Sequence, residues 1–350
     1  MRRQCARRLL IAISCLASLV AWGDSALAQS VEDFFRGKVI RVVVGSAAGG
    51  GYDVYARATT RVMSHHLPGN PLFVIQNMPG GGGLLAANYL YNIASQQGIE
   101  IGMIERGAPF EHLFNQRDSL AKFDAQKFHW IGTPEQEIGL VFLRLPSPIK
   151  TIEDVRTHEL VVSATTHTAS TSVYPRLLNN LFGMKFKVIE GYKSSQEALY
   201  ALDRGEVEGH LSGASSAVMR AQVSPWLSEG KVRVIMQLGL HRDPAFPDAG
   251  LVTDLARNEA DRQILELLFA QQAISYPLLA PPGVPADRVK AFRDAFDATM
   301  KDPEFLEDAK RQRLAVDPFS GAEIDKLLDR VEHTPADILA RANALLASER

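Results

Sequence analysis

Two glycine-rich turns, each set between a short β-branched run and a stretch with helical spacing, constrain this chain more than any other feature. Val39-Ile40-Arg41-Val42-Val43-Val44 runs into Gly45-Ser46-Ala47-Ala48-Gly49-Gly50-Gly51-Tyr52-Asp53, and apolar residues then recur at helical spacing to residue 67. Leu72-Phe73-Val74-Ile75 leads through Gln76-Asn77-Met78-Pro79 into Gly80-Gly81-Gly82-Gly83, with a second helical pattern over residues 84–93 and a third strand over 99–104. Strands alternating with helices in this way predict an α/β sheet with mainly parallel strands.

The pattern restarts in mid-chain. Leu160-Val161-Val162-Ser163 reads as a strand, a hydroxyl-rich stretch over 164–172 follows, and residues 173–182 have helical spacing. Strands over 185–189, 206–211 and 232–236 and a helix over 194–204 complete a second series. Two lobes are more economical than one large sheet. The chain is expected to cross between them near residues 139–143 and 275–280, so that 31–138 with 278–350 form lobe 1 and 139–277 form lobe 2. The C-terminal helices, over 285–300 and 321–346, then return to the first lobe.

The N-terminus addresses the compartment. Arg2, Arg3, Arg7 and Arg8 precede an apolar run over 9–22, and Ala26-Leu27-Ala28 supplies a small-residue site. This is the layout of a secretory signal peptide, 1–28, with cleavage expected after Ala28 and a periplasmic product. The run is short for a membrane span, and Ala12-Ile13-Ser14 before Cys15 is a poor lipidation site. Both cysteines of the chain, Cys5 and Cys15, lie in this leader, so the mature chain is expected to have neither disulfides nor thiolate chemistry. Its formal charge shifts from −2 to about −5, which favours neither nucleic acid nor an anionic membrane as a partner.

A glycine turn that opens a helix presents unpaired N–H groups and the positive end of the helix dipole, and glycine lets the backbone approach a ligand closely. A single Gly-Gly pair would be turn chemistry; two runs in the same context predict an anion site, with Asp53 capping the first helix. Dinucleotide and phosphate-loop spacings are absent, so no cofactor is expected. Neither a Gly-x-Ser-x-Gly elbow nor a His-Glu-x-x-His pair occurs, and neither a metal site nor enzymatic activity is expected. Glu135 and Glu137 read as strand-end carboxylates, whereas Glu105-Arg106 follows the third strand and brings Arg106 to the cleft as a second anion donor. In the second lobe Ser163, Thr165, Thr166, Thr168, Ser170, Thr171 and Ser172 suggest a polar pocket wall, and His167 is given no proton-transfer role.

The order Ala48-Gly49-Gly50-Gly51-Tyr52-Asp53, Ala56-Arg57, then Asn77-Met78-Pro79-Gly80-Gly81-Gly82-Gly83 resembles the substrate-binding receptors of tripartite tricarboxylate transporters, the TctC or Bug proteins. Gly191-Tyr192-Lys193, the stretch 203–208, Lys231-Val232-Arg233-Val234 and the stretch 279–285 extend the resemblance over essentially the whole mature chain. It implies a two-lobed, type II periplasmic-binding-protein-like fold that closes on a carboxylated solute, working with membrane subunits of such a transporter, as a monomer. Carried over by position, Ser46, Ala48, Gly49 and Asp53 match the first ligand loop and Gly81, Gly82 and Gly83 the second. Thr168, Ser170, Thr171 and Ser172 match the second-lobe loop approximately. The family often has an aromatic residue and a proline where this chain has Ser46 and Ala47, which implies a larger, more polar pocket. A ligand-delivering partner of a sensor kinase is the alternative reading, and a periplasmic hydrolase a more remote one.

Overall fold

The computed structural model describes residues 30–114, 119–165, 169–213 and 222–347. The first sheet has strand order β12-β4-β11-β3-β1-β2, from β1 (Val39–Val44), β2 (Leu72–Asn77), β3 (Glu100–Met103), β4 (His129–Thr133), β11 (Leu278–Ala280) and β12 (Phe319–Ser320). The second has the order β10-β9-β5-β8-β6-β7, from β5 (Gly139–Arg144), β6 (Leu160–Ser163), β7 (Phe186–Ile189), β8 (Gly209–Gly213), β9 (Val232–Leu238) and β10 (Gly250–Leu251). Helices α1 (Gly51–His66), α2 (Leu84–Asn92), α3 (Ser170–Phe182), α4 (Ser195–Arg204), α5 (Glu259–Ala273), α6 (Ala286–Thr299), α7 (Pro303–Gln312), α8 (Gly321–Glu332) and α9 (Ala336–Ala347) cover the sheets.

Central strands are apolar on both faces because helices lie on both. In β5, Leu140 and Phe142 pack with Leu199 and Leu202 of α4, while Val141 and Leu143 belong to the core built with Leu177 and Leu178 of α3. In the first lobe, Val42 and Val44 meet Val62 and Met63 of α1 and Phe292 and Phe296 of α6. Each fully buried side chain of this size contributes about 2 kcal/mol of apolar transfer energy.

The two-lobed α/β fold is as expected, with each sheet mixed: β1 is parallel to β2 and β3, β6 to β7 and β8, and β10 to β9, whereas β11 is antiparallel to β3 and β4, and β5 to β8 and β9. A strand arriving from the other lobe starts at the cleft edge and must run away from it, opposite to strands whose C-terminal ends meet the cleft. One expectation needs correction: the C-terminal segment is not one helix on the first lobe. It breaks before Pro335, a residue with no backbone donor, and α9 then packs on α3 and α5 of the second lobe, with Arg341 Nη2 3.3 Å from Asp261 Oδ1.

The chain passes between the lobes at residues 134–138, 274–277 and 333–335, and His241 Nε2 meets Asp317 Oδ2 at 2.8 Å between the segments after β9 and before β12. Among the described residues no helix is long and apolar enough to cross a membrane.

Candidate functional site

The C-terminal ends of β1, β2 and β3 release three loops at one edge of the first sheet, the edge where open α/β sheets hold ligands. The glycine loops touch there: a Cβ on Gly45 would lie 3.3 Å from the Gly83 Cα. Gly49, Gly80, Gly81, Gly82 and Gly83 all have positive φ, a region closed to most side chains, which explains why both turns are built from glycine.

Asp53 lies inside the first loop and is almost completely buried. Its Oδ2 accepts the Gly49 N–H at 2.9 Å and Arg57 Nε at 3.0 Å; its Oδ1 accepts Arg57 Nη2 at 2.9 Å and Asn77 Nδ2 at 3.0 Å. The Arg57 guanidinium, helped by the Gly49 and Asn77 donors against the cost of burial, holds this carboxyl down to about 2. The helix N-cap is Gly50, without a side-chain cap, so Asp53 braces the loop from within the first turn instead of capping the helix. The Gly49 N–H is thereby committed to Asp53. The N–H groups of Gly51, Tyr52 and Asp53, in the first turn, have no intrahelical acceptor.

Ser46 is half-exposed and lends its carbonyl to Asn77 Nδ2 at 3.0 Å, and Ala48 is exposed. In the second loop Gly81 and Gly82 are exposed, while Gly83 is buried against Glu105. The Tyr52 hydroxyl accepts the Arg106 N–H at 3.0 Å and bonds the Glu105 carboxylate, whose pKa burial raises. The Tyr276 ring, on the returning crossing, meets Tyr52 edge-on at 5.0 Å and stacks on Tyr55 at 3.9 Å. Arg106 reaches the cleft as expected but pairs with Glu137 of the outgoing crossing.

Between the lobes remains a void of about 40 Å³, bordered by Arg106 and Glu137 on one side and Ser170, Tyr174 and Gly213 of the second lobe on the other. That is room for one water and too little for an organic acid, so a solute enters only if the lobes part or these side chains move. Ser170 therefore shares a compartment with the first lobe. The Thr171 hydroxyl is buried with no partner among the described residues, and the Ser172 hydroxyl is spent on Glu190, which also pairs with Arg176. Thr168, with Thr166 and His167, lies outside the described residues. The described residues contain no group of three side chains suited to a metal ion.

Sequence reasoning assigned no role to Asn77, Tyr52, Tyr276, Gln272 or Glu137. Two left a signal: Asn77 closes the polar pair Gln76-Asn77 that ends the apolar run 72–75, and Gln271-Gln272 follows the apolar run 267–270. The others show only when the crossing segments meet the loops.

No family model matches the chain. A TctC solute-binding protein from Polaromonas superposes with a TM-score of 0.69 at 18% identity, over 89% of this chain and 98% of that one. The fold is that of the TctC solute-binding proteins. MatC from Rhodopseudomonas palustris, with bound malate, matches this TctC fold at TM-score 0.53 and 19% identity, over 88% of this chain and 99% of its own. In sequence, the chain is 25% identical over 310 residues to the UPF0065 protein in the gbd 5′ region of Cupriavidus necator, covering 86% of each.

Proposed function

We propose that this protein is an exported solute-binding protein that captures a small carboxylated solute between its lobes, as a monomer, and presents it to membrane subunits of a tripartite tricarboxylate-type transporter. The observation that carries this reading is the contact of the two glycine loops at Gly45 and Gly83, at the edge of the first lobe facing the second. Backbone donors and the α1 dipole together favour an anion at that place without a charged side chain. The TctC fold and the malate in its MatC neighbour support a carboxylate. The residues engaged would be Ser46, Ala48, Gly81, Gly82 and Gly83 in lobe 1, with Ser170 and Thr171 opposite. Binding proceeds without covalent chemistry, and the solute stabilises closure only through its extra affinity for the closed state. The periplasmic address rests on the leader, residues 1–28.

The test is the melting temperature of the mature chain, stripped of ligand by unfolding and refolding, against carboxylic acids and their amides. A solute at a hundred times its dissociation constant stabilises by about 2.7 kcal/mol, a readable shift. A shift with an acid and none with its amide is expected. Shifts with sugars alone, or with nothing, would overturn the reading.

A further inference from the structure

Resting on the reading of the cleft as a carboxylate receptor, we propose that its solute also carries a basic nitrogen, and that Glu137 and Gln272 receive it. Among the described residues that line the void between the lobes, Arg106 is the one cation, and it is already paired with Glu137. Glu105, next in sequence, adds a second carboxylate beside the glycine loops, against Gly83 and Tyr52. The nearby pairs Asp53–Arg57 and Glu190–Arg176 are each neutral. Among the described residues the void therefore offers no unpaired cation to a second solute carboxylate. A dicarboxylate would bring two negative charges into a place withdrawn from water and already bordered by Glu137, where like charges repel strongly.

A second observation points the same way. Gln272 is 3% exposed and borders the void; its Nε2 donates to the Tyr174 hydroxyl at 3.0 Å, and its Oε1 has no partner among the described residues. A buried acceptor left alone is costly, and what satisfies it must bring a donor. Glu137 is fixed nearby through its N–H, which meets Ser275 Oγ and the Gln272 carbonyl, each at 2.9 Å. Gly213 makes room for it, since a Cβ there would lie 1.8 Å from Glu137 Oε1. A solute ammonium satisfies the amide oxygen and shares the Glu137 carboxylate with Arg106. Its carboxylate, at the other end, takes the free donors of the glycine loops.

The experiment compares matched pairs on the stripped mature protein: glutamate against glutarate, aspartate against succinate, and 4-aminobutyrate against butyrate. The amino member of at least one pair is expected to bind about tenfold tighter or better by calorimetry. Glu137→Gln, with folding checked by circular dichroism, is expected to erase that advantage, and Gln272→Leu to reduce it. Equal or tighter binding by the acids without nitrogen would overturn this proposal and leave the carboxylate receptor standing. No binding by any of the six would overturn this proposal, while the receptor reading stands or falls by the comparison of carboxylic acids with their amides.

Discussion

The side-chain amide of Asn77, at the end of β2, donates to both Asp53 Oδ1 and the Ser46 carbonyl, each at 3.0 Å. One residue of the second strand thus fixes the shape of the loop that follows the first. Neither glycine loop is a free-standing turn: the first is braced from inside by a carboxylate, and the second is pressed on Glu105.

That brace has an acid signature. The folded pKa of Asp53, about 2, lies below the ordinary 3.8, so its contribution is fully present above about pH 4 and is lost as pH falls through 2. The shift corresponds to about 2 kcal/mol, reduced to about 1–2 because Arg57 is half-exposed. Asp53→Asn is expected to lower urea stability at pH 7 by that amount and to converge with the parent protein near pH 2. Urea titrations of both proteins across that range check it.

Gly82 and Gly83 separate binding from folding. An alanine at Gly83 would place its Cβ 2.6 Å from Glu105 Cγ and 3.0 Å from the Glu105 backbone N, at φ +83°. We expect Gly83→Ala to cost about 3 kcal/mol. A Cβ at Gly82 would meet no atom within 4 Å beyond its chain neighbours, and only φ +61° opposes a side chain, so Gly82→Ala should cost about 1 kcal/mol. Gly82→Phe, whose Cβ would meet no neighbour within 4 Å at this exposed position, should leave the fold and abolish solute binding; denaturation and calorimetry on the three variants read the two effects apart.

His210 gives the second lobe a pH dependence of its own. It is buried in β8, with Nδ1 2.8 Å from Ser163 Oγ and 3.1 Å from the Ser163 carbonyl, and Nε2 without a partner among the described residues. Burial pushes its pKa down to about 4. The unfolded chain then binds the extra proton between about pH 6.5 and 4, so stability falls as the pH is lowered through that window. From pH 7 to 5 the loss attributable to this group is about 2 kcal/mol, and His210→Asn should remove it from the difference between urea curves at those two pH values.

How much of this was legible in the sequence depends on the range of the interactions. Periodicity placed β1, α1, β2 and α2 within a few residues, because a strand or helix between packed layers imposes its own repeat. The sense of β11 and the docking of α9 on the second lobe depend on how two lobes meet, which no local pattern records. The same limit applies at the site. Glycine at 49 and 80–83 announces positive φ, but that Gly49 spends its N–H on Asp53, or that Arg106 meets Glu137, is decided by residues distant in the chain or by the exact path of a turn.

Gly321 is the sharpest case of a position whose constraint the sequence does not show. It opens α8 after Ser320, whose hydroxyl and the Glu323 carboxylate form a reciprocal cap, and its φ is not in the left-handed region, so local rules admit any residue there. In the fold, however, a Cβ would lie 2.0 Å from the Trp130 carbonyl oxygen and 2.8 Å from that of Ile131. Both are main-chain atoms of β4 that cannot swing aside, and β4 leads directly into the crossing that carries Glu137. Gly321→Ala is therefore expected to cost more than about 3 kcal/mol, although alanine is the better helix former by about 1 kcal/mol. The comparison is Ala322→Gly, one residue on in the same helix and exposed, which should cost about 1 kcal/mol or less. Denaturation midpoints in that order support close packing of α8 on β4; the reverse order would mean that α8 stands farther from the strand than the carbonyl contacts require.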